Sequence, residues 1–268
     1  MNRYFKYVAF IVLIVGLMAC GDDSTGPDVD PGDAPEFPQV QNEEAKPDFS
    51  FFEDNQPKVV KGESLAETSN YYDARSVALA NQYTFAFANV YSGFLLAGSN
   101  EDADFEDGMW VWAYSYSYQN ETVSIKTTAE EVANGYQWAM YWSYDDGETS
   151  FEDYKVMEGI VSEDGSSGEW KFNILNPDTN EEVLAYNSEW EVISDTENNM
   201  SVKWYDETGN STLTVEYNED QPEFYMTFTY PDESDVVLFW NTDTNEGYYD
   251  EGGDRRCWDE NFEDISCS

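Results

Sequence analysis

Along most of this chain apolar residues recur at every second position. From Gly108 onward, Trp110, Trp112, Tyr114, Tyr116 and Tyr118 share one parity, and Val111, Ala113, Ser115 and Ser117 the other. The same period runs through Val123/Ile125/Thr127, Tyr136/Trp138/Met140/Trp142/Tyr144, Trp170/Phe172/Ile174, Leu184/Tyr186 and Trp190/Val192. It continues in Met200/Val202/Trp204, Leu213/Val215/Tyr217, Phe224/Met226/Phe228/Tyr230 and Val236/Leu238/Trp240. Successive side chains of an extended chain point to opposite faces, so each run predicts a strand with one buried face. Asn134-Gly135, Asp146-Gly147, Asp164-Gly165, Asn176-Pro177-Asp178, Thr208-Gly209-Asn210 and Pro231-Asp232 are the turn signals between them. The runs leave no room for crossover helices, so neighbouring strands are antiparallel. The fold class predicted is mainly β: a meander of about nine to eleven strands. Rolled into a barrel or half-barrel it buries one face and removes its edges. A two-sheet sandwich is the competing architecture.

Ahead of the sheet the period changes. Leu79, Tyr83, Phe87, Val90 and Phe94 stand at helical spacing among Ala78, Ala80, Ala86 and Ala88, with Gly98 as the stop. Tyr83, Phe85 and Phe87 also alternate, so a strand competes there. The pattern favours an α-helix, in one or two pieces, placed to cover the open side of the sheet. Ser64-Leu65-Ala66-Glu67 matches a capping box upstream. From Gly21 to about Val60 the chain is polar and acidic and carries six of the nine prolines, which predicts an extended spacer. Phe49, Phe51 and Phe52 are its one strongly apolar cluster and are candidates for docking onto the domain.

The first residues have a different logic. Arg3 and Lys6 precede an apolar run from Val8 to Met18, too short to span a bilayer and of the length of a secretory signal core. Leu17-Met18-Ala19-Cys20 resembles the lipobox of bacterial lipoproteins: a large apolar residue, a tolerant position, a small residue and an obligatory cysteine. The resemblance covers these residues alone. It implies cleavage after Ala19, joining of the Cys20 thiol to diacylglycerol, and an acyl chain on the new amine. Three chains anchor durably, at ~0.8 kcal/mol per buried CH₂. Gly21-Asp22-Asp23 resembles the acidic stretch that follows the lipidated cysteine in some outer-membrane lipoproteins, with the leaflet, periplasmic or surface, left open. The organisation expected is a signal peptide over 1–19, an acidic tether over 20–60, and helix plus β-domain over 61–268. In this order of parts the chain is loosely similar to lipocalin-like and lipoprotein-carrier folds, which hold apolar ligands.

Composition narrows the chemistry. The formal net charge of −44 excludes nucleic acid as a partner, because phosphates require Lys and Arg. Acids spread over the whole chain read as a hydrated surface suited to salty water, with divalent-cation binding as the competing reading. Aromatic residues make up 17% of the chain, which supplies enough ring surface for a folded core despite the charge. The absence of histidine removes Ser-His-Asp and Cys-His catalysis and histidine metal sites. Cys257 and Cys267 are expected to form a disulfide in an exported compartment.

Trp110, Trp112, Tyr114, Tyr116, Trp138 and Trp142 are the candidate ligand-binding residues. A core needs apolar residues on one strand face, so packing is the first explanation of such rows. The tyrosines, whose hydroxyls need partners, tilt the reading toward a wet pocket or sugar-stacking surface. No cofactor is expected. Asp28–Asp33 and Asn241–Gly247 space oxygen ligands as calcium loops do, but the closing glutamate is missing from both. Two carboxylates alone could hydrolyse a glycoside, yet no pair stands out. The function expected is a membrane-anchored envelope lipoprotein that binds an apolar or glycan ligand without catalysis. An assembly component of the envelope is the alternative from a different class.

Overall fold

The computed structural model describes residues 32–38, 47–55, 69–98, 102–176, 179 and 181–267, with the backbone alone at 83 and 86–98. The leader and lipobox, most of the spacer with Asp28–Pro31, the Ser64–Glu67 capping box and Pro177-Asp178 lie outside the described residues. The chain divides into two compact units, 1–34 and 35–268, and the second holds the sheet and the helices that precede it.

The sheet has fourteen strands in sequential order, each antiparallel to the next. They are β1 (Asp104–Glu106), β2 (Met109–Tyr118), β3 (Glu121–Val132), β4 (Gly135–Asp145), β5 (Ser150–Val161), β6 (Ser167–Leu175) and β7 (Glu182–Ser194). The second half holds β8 (Glu197–Tyr205), β9 (Ser211–Asp220), β10 (Glu223–Thr229), β11 (Val236–Asn241), β12 (Gly247–Glu251), β13 (Asp254–Trp258) and β14 (Asp264–Ile265). The predicted meander is present, as one sheet rather than two. It is not a closed barrel, because β1 and β14 do not pair. Two helices precede it among the described residues, α1 (Ser50–Asp54) and α2 (Asn70–Gly98).

Hairpin chemistry sets the register. Gly147, Gly165 and Gly209 take positive φ at the turns, and an aspartate beside each gathers the loose amides. Asp146 Oδ1 accepts the N–H groups of Glu148 and Thr149, Asp164 Oδ1 that of Ser166 and two serine hydroxyls, and Asp206 Oδ1 those of Thr208 and Asn210. These bonds stabilise the charged form, so Asp164 is pulled down to about 2. Part of the acidity is therefore turn-forming.

One face of the sheet carries the core. Trp112, Trp138, Trp170, Phe172, Tyr186, Trp190, Met200, Val202, Val215, Tyr217, Met226, Trp240 and Trp258 are all buried on it. Three of its rings lie directly across from a glycine: Trp170 from Gly159, Trp190 from Gly168 and Trp258 from Gly247. A β-carbon at any of the three would run into the facing indole. A row of large rings on a curved sheet needs gaps, and glycine provides them.

The helices cover this face. In α2, Tyr71, Ala74, Ala78 and Phe85 are buried along one stripe, and the alanines let the helix approach closely. The helix touches β12 and β13 at one flank of the sheet and β2 and β3 at the other. It bridges the two margins that a barrel would join by hydrogen bonds. Its start is held by Ser69, whose Oγ accepts the Tyr72 N–H at 3.1 Å. The run is one continuous helix and ends at the expected Gly98.

The chain from Pro35, which the sequence assigns to the spacer, belongs to the domain's compact unit. Phe51 and Phe52 in α1 are buried against Tyr71, Trp240 and Phe262. Tyr71 Oη donates to Asn55 O at 2.7 Å and Arg75 Nε to Phe52 O at 2.6 Å, so α2 satisfies the carbonyls that so short a helix leaves open. At the last strands, Cys257 and Cys267 are joined by a disulfide.

Candidate functional site

The six candidate rings separate by environment. Trp112 and Trp138 stack at 5.7 Å and are covered by Phe37, whose ring lies 4.6 Å from the first and 5.4 Å from the second. Their exposures are 4% and 1%. These two are core residues, and the expectation that they face a ligand is corrected. The face they would offer a ligand is covered by the protein's own phenylalanine.

The other four remain near solvent. Trp110 is half-buried with Phe105 edge-on at 5.0 Å. Tyr114, Tyr116 and Trp142 lie further along β2–β5, where burial becomes partial. The register places Tyr114, Ile125, Trp142 and Tyr154 in one cross-strand row and Tyr116, Val123, Tyr144 and Phe151 in the next. Ring contacts link the far side: Tyr144 stacks on Phe151 at 5.9 Å, and Phe151 meets Tyr154 edge-on at 6.0 Å. Tyr116 is 38% exposed, while Tyr114, Trp142, Tyr144 and Phe151 are half-buried. Polar tips are present throughout. Burial pushes the Tyr114 hydroxyl up to about 12. Tyr144 Oη donates to Asp146 Oδ2 at 3.2 Å, and Trp142 Nε1 to Met140 Sδ at the same distance. The cluster is an amphipathic aromatic surface that is part exposed and part half-buried.

Two further features lie outside the six candidate rings. Tyr144, Phe151 and Tyr154 belong with the candidates, but β5 carries no clear strand signal. Val156 and Met157 are both buried, which breaks its alternation, and the β4–β5 pairing shifts register twice. On the face opposite the core, Tyr225, Phe239 and Tyr248 form a ladder with ring separations of 4.8 and 5.3 Å. Arg255 caps it, 4.0 Å above Tyr248 and 3.1 Å from Asp250. The period of two is the signal that could have found the ladder, since each ring sits between two core residues.

Acidic chemistry is limited on the inner face. Among the described residues Glu219 is the one buried carboxylate, and its oxygens accept from Asn198 Nδ2, Tyr217 Oη and Gln221 Nε2 at 2.9, 2.9 and 2.6 Å. Tyr217 Oη in turn accepts the Asp48 N–H at 3.1 Å, which ties the segment before α1 to β9. These bonds make Glu219 a structural anchor. At the calcium-like stretch, Asn241 Oδ1 accepts the N–H groups of Asp243 and Thr244 and so closes its own turn. No cluster of three or more Cys, Asp or Glu among the described residues is placed to hold a metal. The face opposite the core instead presents Glu169, Glu189, Glu191 and Glu216 close to Asn199 and Asn218. No family model matches the chain, and no curated protein or solved structure matches it.

Proposed function

We propose that this chain is a lipoprotein of the bacterial cell envelope, held in the outer membrane through acylated Cys20, whose β-domain binds a glycan without catalysis. The observation that carries the reading is the partly exposed ring cluster of Tyr114, Tyr116, Trp142, Tyr144 and Phe151 at the outer ends of β2–β5. A long apolar ligand needs an enclosed cavity to gain from burial, whereas Tyr116 in this cluster is 38% exposed. Flat ring surfaces with hydroxyl tips suit a sugar, whose faces are apolar and whose rim is polar. The net charge of −44 restricts the glycan to neutral or basic types.

Titration of the mature protein with neutral oligosaccharides, followed by tryptophan fluorescence, tests this. Trp142→Ala and Tyr116→Ala should each weaken binding by at least about 1 kcal/mol, roughly fivefold in Kd. Binding that survives both substitutions unchanged, or no binding to any neutral or basic glycan, refutes it. Anchoring is tested separately: Cys20→Ala should release the protein from the membrane fraction. The assembly reading is favoured by a different observation, the unpaired edge of β2.

A further inference from the structure

Strand β2 has an unguarded edge. Its pairing with β3 is unbroken from Trp110 to Tyr118. On its other side β1 pairs only with Met109, Trp110 and Val111. From Trp112 to Tyr118 no described residue accepts from or donates to that second side, and Ala113, Ser115, Tyr116, Ser117 and Tyr118 are exposed. Native sheets protect such edges with charges, proline, bulges or extreme shortness. The opposite margin follows this rule, since β14 has two residues, and β1 is short and carries Asp104 and Glu106. β2 has none of these devices. Met109–Tyr118 contains no charged residue and no proline, in a chain of which 25% is charged.

We infer that this edge pairs with the same edge of a second copy, forming a two-fold dimer with one continuous sheet. The open slot runs from Trp112 to Tyr118, closed at one end by β1 and at the other by the hairpin at Gln119-Asn120. An antiparallel strand that fills it completely with the same seven residues is centred on Ser115. Ser115 then faces Ser115, Tyr114 faces Tyr116, Ala113 faces Ser117 and Trp112 faces Tyr118. Rings meet rings on one side and small residues meet on the other. The β2–β3 pair already uses this chemistry, with Ser115 Oγ 2.8 Å from Ser124 Oγ and Ser117 Oγ 3.0 Å from Thr122 Oγ1. Charge selects the place: copies of a chain at −44 repel one another, and this uncharged strand is where they can meet. Asp104 of one copy comes beside the hairpin bearing Glu121 of the other, so screening by salt strengthens the pairing. The inference is independent of the glycan reading.

The mass of the mature, acylated protein in detergent, measured by light scattering, is the first readout, and crosslinking is the second. The expected result is twice the monomer mass, with the dimer fraction rising with protein concentration and salt. Ser115→Cys should give a disulfide-linked dimer under mild oxidation, while Thr212→Cys, on exposed β9 away from the edge, should not. Ser115→Lys should leave the circular dichroism unchanged and abolish the dimer. If that variant fails to fold, the Ser115→Cys and Thr212→Cys comparison decides alone. A monomer at the highest concentration in molar salt overturns the inference, as does equal crosslinking at both cysteines. A dimer that persists in folded Ser115→Lys overturns it as well.

Discussion

Gly168→Ala isolates the glycine–tryptophan pairing of the core. Gly168 lies across from Trp190 in the β6–β7 register, and a β-carbon there meets the far edge of that indole and, at 3.0 Å, Ile160 O. Its backbone is outside the left-handed region, so conformational strain does not contribute. Trp190 has little freedom to retreat: it is 4% exposed, and its Nε1 donates to Gly165 O at 3.1 Å. Overpacking of this kind costs about 1–3 kcal/mol, and a strained or lost hydrogen bond adds about 1 kcal/mol. The lower entropy of alanine in the unfolded chain returns about 0.4–1 kcal/mol. The net expectation is a loss of about 1–3 kcal/mol. In urea with a slope near 3 kcal/mol/M, a loss of 2 kcal/mol moves the midpoint down by roughly 0.7 M. A double-mutant cycle with Trp190→Leu gives the decisive figure, because removing the indole frees the space. Gly168→Ala should then cost at least about 1 kcal/mol less. Equal cost with and without the indole, or a more stable Gly168→Ala protein, refutes the steric account.

The remaining expectations concern charge and crosslinks. The depressed Asp164 carboxyl contributes stability that is present above its unfolded value of 3.8 and lost as pH falls toward about 2; carboxyl NMR should find Asp164 titrating well below the ordinary aspartate range. Tyr71 and Tyr114 are raised to about 12 by burial, so their contribution holds below pH 10 and disappears as pH rises through about 12, which ultraviolet titration of the phenolates reports. Reducing the Cys257–Cys267 bridge, which closes a short loop, should cost roughly 2–3 kcal/mol in thermal melts while leaving the β signal of the other strands in place. Added salt should raise the melting temperature. Acids far outnumber bases in a chain at −44, so screening relieves their mutual repulsion; a flat salt response would remove the reading of a surface suited to salty water.

The antiparallel meander is legible in the sequence because most strands keep a strict period of two, and the helix because its period differs. Where the period fails, so does the reading. β5 is hidden by its two adjacent buried residues, and Ile174 is 39% exposed because a register shift after Phe172 turns it outward. β12 and β13 are only five residues each and rich in charge, although Gly252-Gly253, both at positive φ, mark their hairpin. Closure of the sheet cannot be read locally, since it depends on where a distant helix lies. The candidate rings do form a row, but a row says nothing of what covers it: Phe37, from a proline-rich stretch, decides that Trp112 and Trp138 are core.

The bridging helix also dictates when this fold can form. Its first turn is held by the last strands: Asn70 N donates to Asp264 Oδ1 at 2.8 Å, Asn70 Nδ2 to Cys257 O at 2.9 Å, and Arg256 Nη1 to Asp73 Oδ2 at 3.0 Å. These partners are separated by 183 to 194 residues of chain. Such long loops close late, so nearly the whole polypeptide must be available before α2 can seat. A chain built this way stays loose while it is being synthesised, and it becomes compact only once residues near 264 are free to pair with the helix.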